Sequence, residues 1–464
     1  MTRDGLVRSS SPQRPDDVVV EVPAAAPEQV AAMVDTARAA ARSWGRAPAA
    51  ERAAALRAAG EALAAGTEEA ARLVVREVGK PIGEARAEVG RGVAILHYYA
   101  QQVFDPIGEL HAPSTAGLLF SQRRPRGVAG LITPWNFPVA IPLWKAAPAL
   151  AYGNGVVLKP SPEATACGLW LGELLGRFLP EGLLHIVPGE VDTGTALVDS
   201  ADVVSFTGSV RVGQEVARRA SGRGVPVQAE MGGQNASIVL ADADLRRAAV
   251  QVAEAAMGYA GQKCTATSRV IVVGEPDRFL DPFVEAVRSL GIGDPQREGI
   301  AVGPVITEAA RDAVLAAADE ARGEGGRVLV GGAGGEGPGW FVQPTVVDGL
   351  DPGHRLAQEE VFGPICAVLT AADEAEAVRL ANGVRYGLVT AVFSRDLDRV
   401  LALLDEVDSG LVKVNAPTTG VDFYLPFGGE KDSSFGPREQ GKAARDLYTS
   451  SRTVTIAPAS RHLT

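Results

Sequence analysis

The spacing of apolar residues changes along the chain, and the change falls near residue 126. Residues 27–104 carry apolar side chains at steps of three and four, as at Val30 and Val34, and this period is typical of amphipathic helices. Residues 1–24 show no such period and predict a loose lead-in that ends in a short strand at 18–20. The first part of the chain is therefore expected to be a helical scaffold.

From residue 126 onward, short runs rich in Val, Ile and Leu alternate with helical patterns. One series starts at GVAGLIT (127–133) and a second starts at NASIVL (235–240). Such alternation is typical of βαβ units around a mostly parallel sheet. The chain has 464 residues, more than the roughly 250–300 that one core accommodates, so an α/β fold with two or more domains is expected.

Composition and charge exclude several classes of partner. The net charge of −11 opposes binding to nucleic acid or to an anionic membrane surface, and no apolar run approaches the roughly 18–20 residues of a membrane span. The N-terminus lacks the apolar core of a secretory signal, so a cytoplasmic protein is expected. Three cysteines and five histidines, without the spacing of zinc ligands, predict neither a disulfide framework nor a metal site.

One of the three cysteines lies where a catalytic thiol would be expected. Cys264 follows a helical pattern that ends near Tyr259 and precedes a predicted strand at 269–273, so it falls on a loop. A loop allows the exposure and the thiolate formation that a nucleophile needs, although a buried structural cysteine is the common alternative. Cys167, in a helical pattern, and Cys366, in an apolar strand, fit that alternative better.

Two polar residues follow predicted strands of the first series. Glu230 ends the strand VPVQAE before a Gly-Gly pair, so its carboxylate can project into a cleft whose apolar neighbours would raise its pKa and suit it to act as a base. A solvated strand end is the alternative. Asn136 lies between two prolines, and an amide fixed in this way can stabilise an oxyanion, unless it serves only as a turn cap.

Two further segments follow strands at the edge where parallel sheets bind ligands. The segment FTGSVRVG (206–213) joins a strand to a helix, a geometry that binds phosphate through free amides, but it lacks the glycine spacing of a Rossmann fingerprint. Lys159 ends the strand GVVLK and is either a ligand-binding residue or a surface lysine. Neither segment alone establishes a function.

Read together, the segments resemble the aldehyde dehydrogenase superfamily. Its motifs occur in the family's order as TPWNFP, VVLKPS, FTGS, EMGG, GQKC, EEVFGP and PFGG. Glu230 and Cys264 lie 34 residues apart, as the family pattern has it, and the resemblance spans about residues 20 to 457. Seven motifs in order are far more specific than any one of them.

The resemblance implies an aldehyde dehydrogenase-like α/β fold with three parts. A Rossmann-type NAD(P)-binding domain would comprise residues 1–108 and 126–232, and an α/β catalytic domain would comprise residues 233–440. A β oligomerisation element would combine residues 109–125 with 441–464. A β-rich C-terminal strand invites pairing at its free edge, so a homodimer or homotetramer is expected.

The resemblance also implies a role for each matching residue. Cys264 would attack a small-molecule aldehyde, Asn136 would stabilise the oxyanion, and Glu230 would activate the water that releases the acid. Lys145 would lie near the nucleophile. The residues that match the family's cofactor site are Thr133, Pro134, Trp135, Lys159, Ser161, Gly189, Phe206, Thr207, Gly208, Ser209, Val212, Glu360 and Phe362. Those that match its substrate tunnel are Phe137, Ile141, Trp144, Lys263, Thr265, Val421 and Phe427.

The chain departs from the family pattern at two positions. Pro162 stands where a glutamate often binds the ribose hydroxyls, with Glu163 one residue later, and Gln234 stands where a lysine usually follows the two glycines. Without the glutamate, the chain lacks a negative charge that would repel the 2′-phosphate of NADP. Lys159 can then pair with that phosphate. The resemblance therefore predicts that NADP is accepted, with NAD also possible.

For the substrate, the catalytic stretch GQKCTATSRVIV is most similar to bacterial α-ketoglutarate semialdehyde dehydrogenases. This similarity predicts a short aliphatic semialdehyde that ends in a carboxylate, which needs a cation or several donors to bind it. Phe423 and Tyr424 would instead shape the mouth for a bulkier, uncharged aldehyde. The candidates for binding the carboxylate are Lys263, Thr265, Thr267, Arg123, Arg124 and Arg126, the arginines being ordinary surface charges otherwise.

Two other functions compete with hydrolytic aldehyde oxidation. A CoA-acylating aldehyde dehydrogenase would not need the base, so Glu230 argues against it. A non-catalytic binding protein of the same fold would have no reason to keep Cys264, Glu230 and Asn136 together. The sequence therefore favours the hydrolytic enzyme.

Overall fold

A computed structural model describes residues 5–458 of the chain. Its first elements are β1 (Leu6–Ser11), β2 (Arg14–Pro23), α1 (Pro27–Trp44), α2 (Ala49–Ala65), α3 (Thr67–Val78) and α4 (Ile82–Gln102). The expectation of a loose lead-in is wrong, because β1 and β2 form an antiparallel hairpin. The hairpin buries polar side chains that helix α3 satisfies: Ser9 donates to Glu77 at 2.6 Å, and Gln13 donates to the carbonyl of Val75 at 3.0 Å.

The next elements include a five-stranded parallel array. Strands β5 to β9 lie in the order β7-β6-β5-β8-β9, so the direction of succession reverses at β5. Open parallel sheets bind ligands beside such a reversal, at the carboxyl ends of the strands. The elements are β3 (Leu110–His111), β4 (Leu118–Pro125), β5 (Val128–Ile132), α5 (Ala140–Ala151), β6 (Gly155–Lys159), α6 (Thr165–Gly176), β7 (Leu184–Ile186), α7 (Val191–Ser200), β8 (Val203–Thr207), α8 (Val210–Gly222) and β9 (Val227–Glu230).

A second sheet follows, in the order β12-β13-β14-β11-β10-β16-β17. Its strands are parallel except β12, which pairs antiparallel with β13. Its elements are β10 (Asn235–Val239), α9 (Leu245–Met257), β11 (Thr267–Val273), α10 (Asp277–Arg288), α11 (Glu308–Gly323), β12 (Arg327–Val330), β13 (Thr345–Asp348), α12 (Arg355–Gln358), β14 (Ile365–Ala371), α13 (Glu374–Asn382), β15 (Tyr386–Gly387), β16 (Val389–Phe393), α14 (Leu397–Leu404) and β17 (Leu411–Val414). The two sheets have separate hydrophobic clusters, so each has a core of its own.

The last elements return to the first sheet before they reach the C-terminal strand. They are β18 (Glu430–Lys431), β19 (Ser434–Phe435), α15 (Ala444–Tyr448) and β20 (Thr449–Ile456). Strand β19 pairs with β9, and helix α15 packs into the first sheet's cluster. The chain therefore crosses back to the first sheet before residue 434, ahead of the domain boundary expected at 440.

The segment 110–125 and the C-terminal strand form a separate three-stranded antiparallel sheet in the order β20-β4-β3. Strand β20 pairs with β4 over its whole length, from Thr449 opposite Pro125 to Ile456 opposite Leu118. Leu118 and Ile456 are 53% and 49% exposed. No helix in residues 5–458 combines the length and the apolarity that a bilayer crossing requires.

Candidate active site

Cys264 is presented by a strained turn between helix α9 and strand β11. Tyr259 and Ala260 both have a φ of 54°, a left-handed conformation that is uncommon for residues other than glycine. Gln262 holds the turn from within, because its side-chain amide donates to the carbonyl of Pro304 at 3.2 Å and accepts from a main-chain N–H at 2.8 Å. The surrounding hydrogen bonds thus maintain the strained backbone and fix the loop that carries the cysteine.

The Cys264 side chain is half-buried in a negatively charged environment. Burial raises the pKa of its thiol, and the carboxylates of Glu360, Glu230 and Glu439 raise it further. The carbonyl oxygen of Cys264 accepts a 2.7 Å hydrogen bond from Asn235. The sulfur is therefore held as a neutral thiol until a base removes its proton.

Glu230 ends strand β9, and only 2% of the residue is exposed. Its Oε1 accepts from the Gln228 amide at 3.0 Å, and its Oε2 accepts from the Ser434 hydroxyl at 2.5 Å. Burial, and after it the charge of Glu439, raise the pKa of Glu230 to about 8. A carboxyl group that titrates near neutral pH is suited to accept a proton from water.

Lys145 belongs to the network behind Glu230. Its buried ammonium donates to Glu439 at 2.7 Å and to Ser205 at 2.8 Å, and it lies 3.4 Å from the Gln228 side-chain oxygen. Among the described residues its hydrogen bonds go to this network and not to Cys264. Its positive charge lowers the pKa of Glu230, in opposition to Glu439. Lys145 therefore lies behind Glu230, in contact with the groups that surround this carboxyl.

Asn136 connects the loop after strand β5 to the cysteine turn. The residue is 4% exposed, and its Nδ2 donates to the carbonyl of Gln262 at 3.0 Å. A primary amide has two N–H groups, so this bond leaves one for a substrate oxygen near Cys264. The structure thus brings Asn136 to the cysteine loop, as the family resemblance implies.

The predicted cofactor residues gather at the carboxyl edge of the first sheet. Lys159 ends β6, and the segment from Phe206 ends β8; both strands are paired with β5. The ammonium of Lys159 donates to the carbonyl of Pro160 at 3.3 Å, and burial lowers its pKa to about 8. Within residues 5–458 the Lys159 ammonium makes this one hydrogen bond. Because an ammonium has three N–H groups, it can also bind a polar ligand.

The turn after Lys159 holds a carboxylate despite the proline at 162. The Ser161 hydroxyl donates to Glu163, which lies in a 3-10 turn at Pro162–Ala164. The negative charge of Glu163 raises the pKa of Lys159 against the effect of burial. Pro162 replaces a glutamate of the family pattern, and the carboxylate of Glu163 therefore partly restores the negative charge that is lost.

The FTGS segment leads into helix α8 with Ser209 at the N-cap. A Cβ on Gly208 would lie 2.6 Å from the Phe206 ring, so the backbone here packs closely on the strand. Val212, in the first turn of the helix, is 37% exposed. Free N–H groups at such a helix start favour an anion.

Glu360 closes the opposite side of the cleft, from the second domain. It accepts from the N–H of Gly233 at 3.3 Å, and a Cβ on Gly232 would lie 2.0 Å from its Oε2, so a larger residue at 232 would displace the Glu360 carboxylate. Burial raises the pKa of Glu360 to about 8. Beside it, the Phe362 ring meets Trp135 edge-on at 5.7 Å, which joins the two domains at the cleft.

The groups at this edge suit a dinucleotide. The buried hydroxyls of Thr133 and Thr207 have no hydrogen-bond partner within residues 5–458, and such groups are normally satisfied by a ligand or water. Pro134 follows Thr133 on the same loop, and Gly189 lies before helix α7, where a Cβ would meet the Thr193 hydroxyl at 2.0 Å. Unpaired hydroxyls, an ammonium and a helix N-terminus match the ribose and phosphate groups of such a cofactor.

A cavity of about 240 Å³ opens beside the thiol. Aromatic and aliphatic side chains form most of its wall, so it suits the apolar stem of an aldehyde. The seven predicted tunnel residues all line it together with Cys264: Phe137, Ile141, Trp144, Lys263, Thr265, Val421 and Phe427.

The residues considered for binding a substrate carboxylate do not all face this cavity. Lys263 lines it, but its ammonium pairs with Glu84 at 2.8 Å. Thr267 is buried and bonded to Thr418 at 2.9 Å. The three arginines lie instead around strand β4, where Arg123 pairs with Asp446 at 2.7 Å. Arg123 and Arg126 therefore hold the C-terminal segment, which fits the alternative of an ordinary surface or interface charge, and their carboxylate role stays a prediction.

Several residues of the site have no motif to mark them. Gln228 lies two residues before Glu230 on the same strand, and alternation along a strand puts both on one face. Ser434 and Glu439 reach the site only through folding, and Glu439 lies 209 residues from Glu230 in sequence. For them the sequence alone offers no local signal.

Comparison with known proteins agrees with this geometry. The profile of the aldehyde dehydrogenase family matches residues 2–454. An α-ketoglutaric semialdehyde dehydrogenase of Bacillus subtilis is 40% identical over 98% of this chain and 95% of its own length.

Two further relatives point to the same family. An α-ketoglutarate semialdehyde dehydrogenase of Haloferax volcanii is 40% identical over 96% of this chain and 94% of its own length. The crystal structure of an NAD-dependent aldehyde dehydrogenase from Sinorhizobium meliloti superposes with a TM-score of 0.94 at 32% identity, covering 100% of this chain and 94% of that one. The chain thus belongs to the aldehyde dehydrogenase family.

Proposed function

We propose that this protein oxidises an aldehyde to a carboxylic acid with NAD, through a thioester on Cys264. The proposal rests on the half-buried thiol of Cys264, which lies between a largely apolar cavity and the buried carboxyl of Glu230. Burying a carboxyl group without compensation costs stability, and a raised pKa at a cleft is typical of a functional acid or base. CoA-acylating chemistry would leave this carboxyl without a role.

Each chemical step has a residue positioned for it. The sulfur of Cys264 attacks the aldehyde carbon as its proton passes to a carboxylate, and the Asn136 amide donates to the new oxyanion. A nicotinamide cofactor supplies the acceptor for the hydride that leaves this carbon. Glu230 then takes a proton from water, the water oxygen attacks the thioester carbon, and the acid leaves as the Cys264 sulfur regains a proton.

Lys145 and Glu439 shift the pKa of Glu230 in opposite directions. Lys145→Met is expected to raise the pKa of Glu230, and Glu439→Gln to lower it, because their charges oppose each other at this carboxyl. The measurement is the pH dependence of acid release, whose midpoint should move up in the first variant and down in the second. Equal midpoints in both variants would contradict the role of the pair. Lys145→Met should also lose about 3–5 kcal/mol of stability, because Glu439 is left buried without its partner.

We propose NAD as the cofactor, because the structural neighbour from Sinorhizobium meliloti is an NAD-dependent aldehyde dehydrogenase. Lys159, Ser161 and Glu163 would face the adenosine ribose, and Glu360 would face the nicotinamide side. The other residues predicted to contact the cofactor lie on the loop after β5, at Gly189, and on the FTGS turn together with Val212. Acceptance of NADP stays a prediction from the proline at 162.

Glu163 is expected to decide how well NADP is used. Glu163→Gln removes the negative charge beside Lys159 and should raise kcat/KM for NADP relative to NAD by roughly tenfold, the effect of about 1.4 kcal/mol. Steady-state rates with both cofactors measure this ratio, and Glu181→Gln, an exposed glutamate elsewhere in the same domain, is the control. A ratio that stays at the wild-type value would show that Glu163 does not face the ribose.

The substrate is proposed to be α-ketoglutarate semialdehyde or a semialdehyde of similar size. The support is the 40% identity to two dehydrogenases named for that substrate. The test is kcat/KM across α-ketoglutarate semialdehyde, succinate semialdehyde, hexanal and benzaldehyde, with NADH formation as the signal. A preference for the carboxylate-bearing aldehydes supports the proposal, and a preference for hexanal or benzaldehyde contradicts this choice of substrate.

The proposed organisation follows the same family. Residues 1–108 and 126–232 would bind the cofactor, and most of 233–440 would carry the nucleophile. The sheet of β3, β4 and β20 exposes Leu110, Leu118 and Ile456, and a second copy would cover these apolar groups in a homodimer or homotetramer. A cytoplasmic location is proposed with it.

A further inference from the structure

The cavity beside Cys264 contains one cation that no carboxylate neutralises. Helix α4 lines the cavity with residues spaced as on one helical face, from Glu84 through Glu88 to Arg91. Glu84 pairs with Lys263 at 2.8 Å, and Glu88 pairs with the buried Lys80. In residues 5–458, Arg91 has neither a hydrogen bond nor an ion pair, and it is half-buried.

A second cation lies within electrostatic range of Arg91. Lys413, on strand β17, donates to the carbonyls of Thr419 and Gly420 at 3.3 and 2.8 Å, and those two residues line the cavity. Burial lowers the pKa of Lys413; Asp422 opposes this shift, and Arg91 adds to it. The two cations therefore repel each other, with one carboxylate, Asp422, near them.

The other charged residues of helix α4 that line the cavity already have partners. Glu84 pairs with Lys263 and Glu88 with the buried Lys80, while Asp422 acts on Lys413. This leaves the positive charge of Arg91, whose side chain carries five N–H donors in a planar fork that suits a carboxylate. Cys264 lies in the same cavity, so a short chain can join an aldehyde at the sulfur to a carboxylate at Arg91.

We propose that Arg91 binds the carboxylate at the far end of the substrate and thereby selects anionic semialdehydes over neutral and cationic aldehydes. This inference rests on the proposed function, because it assigns the carboxylate of that substrate to one residue. Arg91 is a specificity-determining residue and takes no part in the reaction at Cys264. Arg91 thus takes the role for which Lys263 and the arginines before Asn136 were candidates.

The test compares three aldehydes of one chain length that differ in charge. They are succinate semialdehyde, butanal and 4-trimethylaminobutanal, whose fixed cation cannot cyclise onto the aldehyde. For Arg91→Gln, the ratio of kcat/KM for succinate semialdehyde to that for butanal should fall by roughly 10- to 100-fold, as expected for loss of a charged hydrogen bond. Arg91→Glu should reverse the order of the anionic and cationic substrates.

Two controls make the result specific to Arg91. Arg86→Gln changes an arginine of the same helix that pairs outside the cavity with Glu68 at 2.8 Å, and should keep the wild-type ratio. Lys413→Met tests the neighbouring cation, and a ratio that falls in this variant but not in Arg91→Gln overturns the assignment. Because butanal is measured on the same preparation, loss of folded enzyme lowers both rates and leaves the ratio intact.

The outcomes separate this inference from the proposed function. A wild-type enzyme that oxidises aldehydes but has the same ratio as Arg91→Gln overturns the inference and leaves the dehydrogenase standing. A wild-type enzyme that forms no NADH with any of the three aldehydes, or with hexanal, overturns the proposed function itself.

Discussion

Cys264→Ala is expected to lower kcat/KM for aldehyde oxidation by roughly 10,000-fold or more, as in other enzymes that lose their nucleophile. Without the sulfur, no covalent intermediate forms and the hydride has no thiohemiacetal to leave from. Cofactor affinity should stay within about threefold of wild type, because the predicted cofactor residues belong to other loops; the free energy involved is under 1 kcal/mol. Steady-state NADH formation and isothermal titration with NAD measure the two quantities.

The control for this variant is another cysteine of the chain. Cys167 is 1% exposed on helix α6 and lines no part of the cavity beside Cys264. Cys167→Ala should therefore keep its turnover and lose about 1 kcal/mol or more of stability from the small void. If Cys264→Ala turned over at a rate close to that of Cys167→Ala, the nucleophile would have to be sought elsewhere.

Glu230→Gln is expected to separate acylation from release of the acid. The variant should produce about one equivalent of NADH per active site in a rapid burst and then slow to a steady rate roughly 100- to 10,000-fold below wild type, the range for loss of a general base. Stopped-flow absorbance followed by steady-state assay measures both phases. A variant without a burst, or with wild-type steady turnover, would contradict the role of Glu230 in hydrolysis.

The same base predicts the pH dependence of the wild-type enzyme. A carboxyl accepts a proton only when it is ionised, and burial raises the pKa of Glu230 to about 8. The rate of acid release should therefore increase with pH through this region, and in Glu230→Gln the dependence should disappear. A wild-type rate of acid release that is constant from pH 6 to 9 would not fit a base of this kind.

The sequence could identify the residues that lie beside turns containing glycine or proline. Cys264, Glu230 and Asn136 each lie at the end of a strand or helix pattern, beside glycine or proline, and local pattern is enough to place such residues at a sheet edge. The order of the motifs then indicated the family. The predicted tunnel residues belong to these same segments, and the structure brings them to one cavity.

What the sequence could not show depends on contacts between distant segments. The hairpin of β1 and β2 buries Ser9, whose hydroxyl is satisfied because Glu77 of helix α3 accepts its hydrogen bond. Lys145 was expected at the nucleophile, but its partner Glu439 comes from a loop 294 residues away. Arg91 looks like any other helical arginine until the fold shows which acids already have partners. Charge balance in a cavity is a property of the folded chain alone.

The covalent state of Cys264 during turnover tests the proposed mechanism most directly. Glu230→Gln is mixed with NAD and α-ketoglutarate semialdehyde, quenched in acid after the burst, and digested for peptide mass spectrometry. An acyl group, as a thioester, is expected on the peptide that contains Cys264, and none is expected when Cys264→Ala is combined with Glu230→Gln. NADH formation with no acyl group on that peptide, or with the group on another residue, would contradict the proposed mechanism.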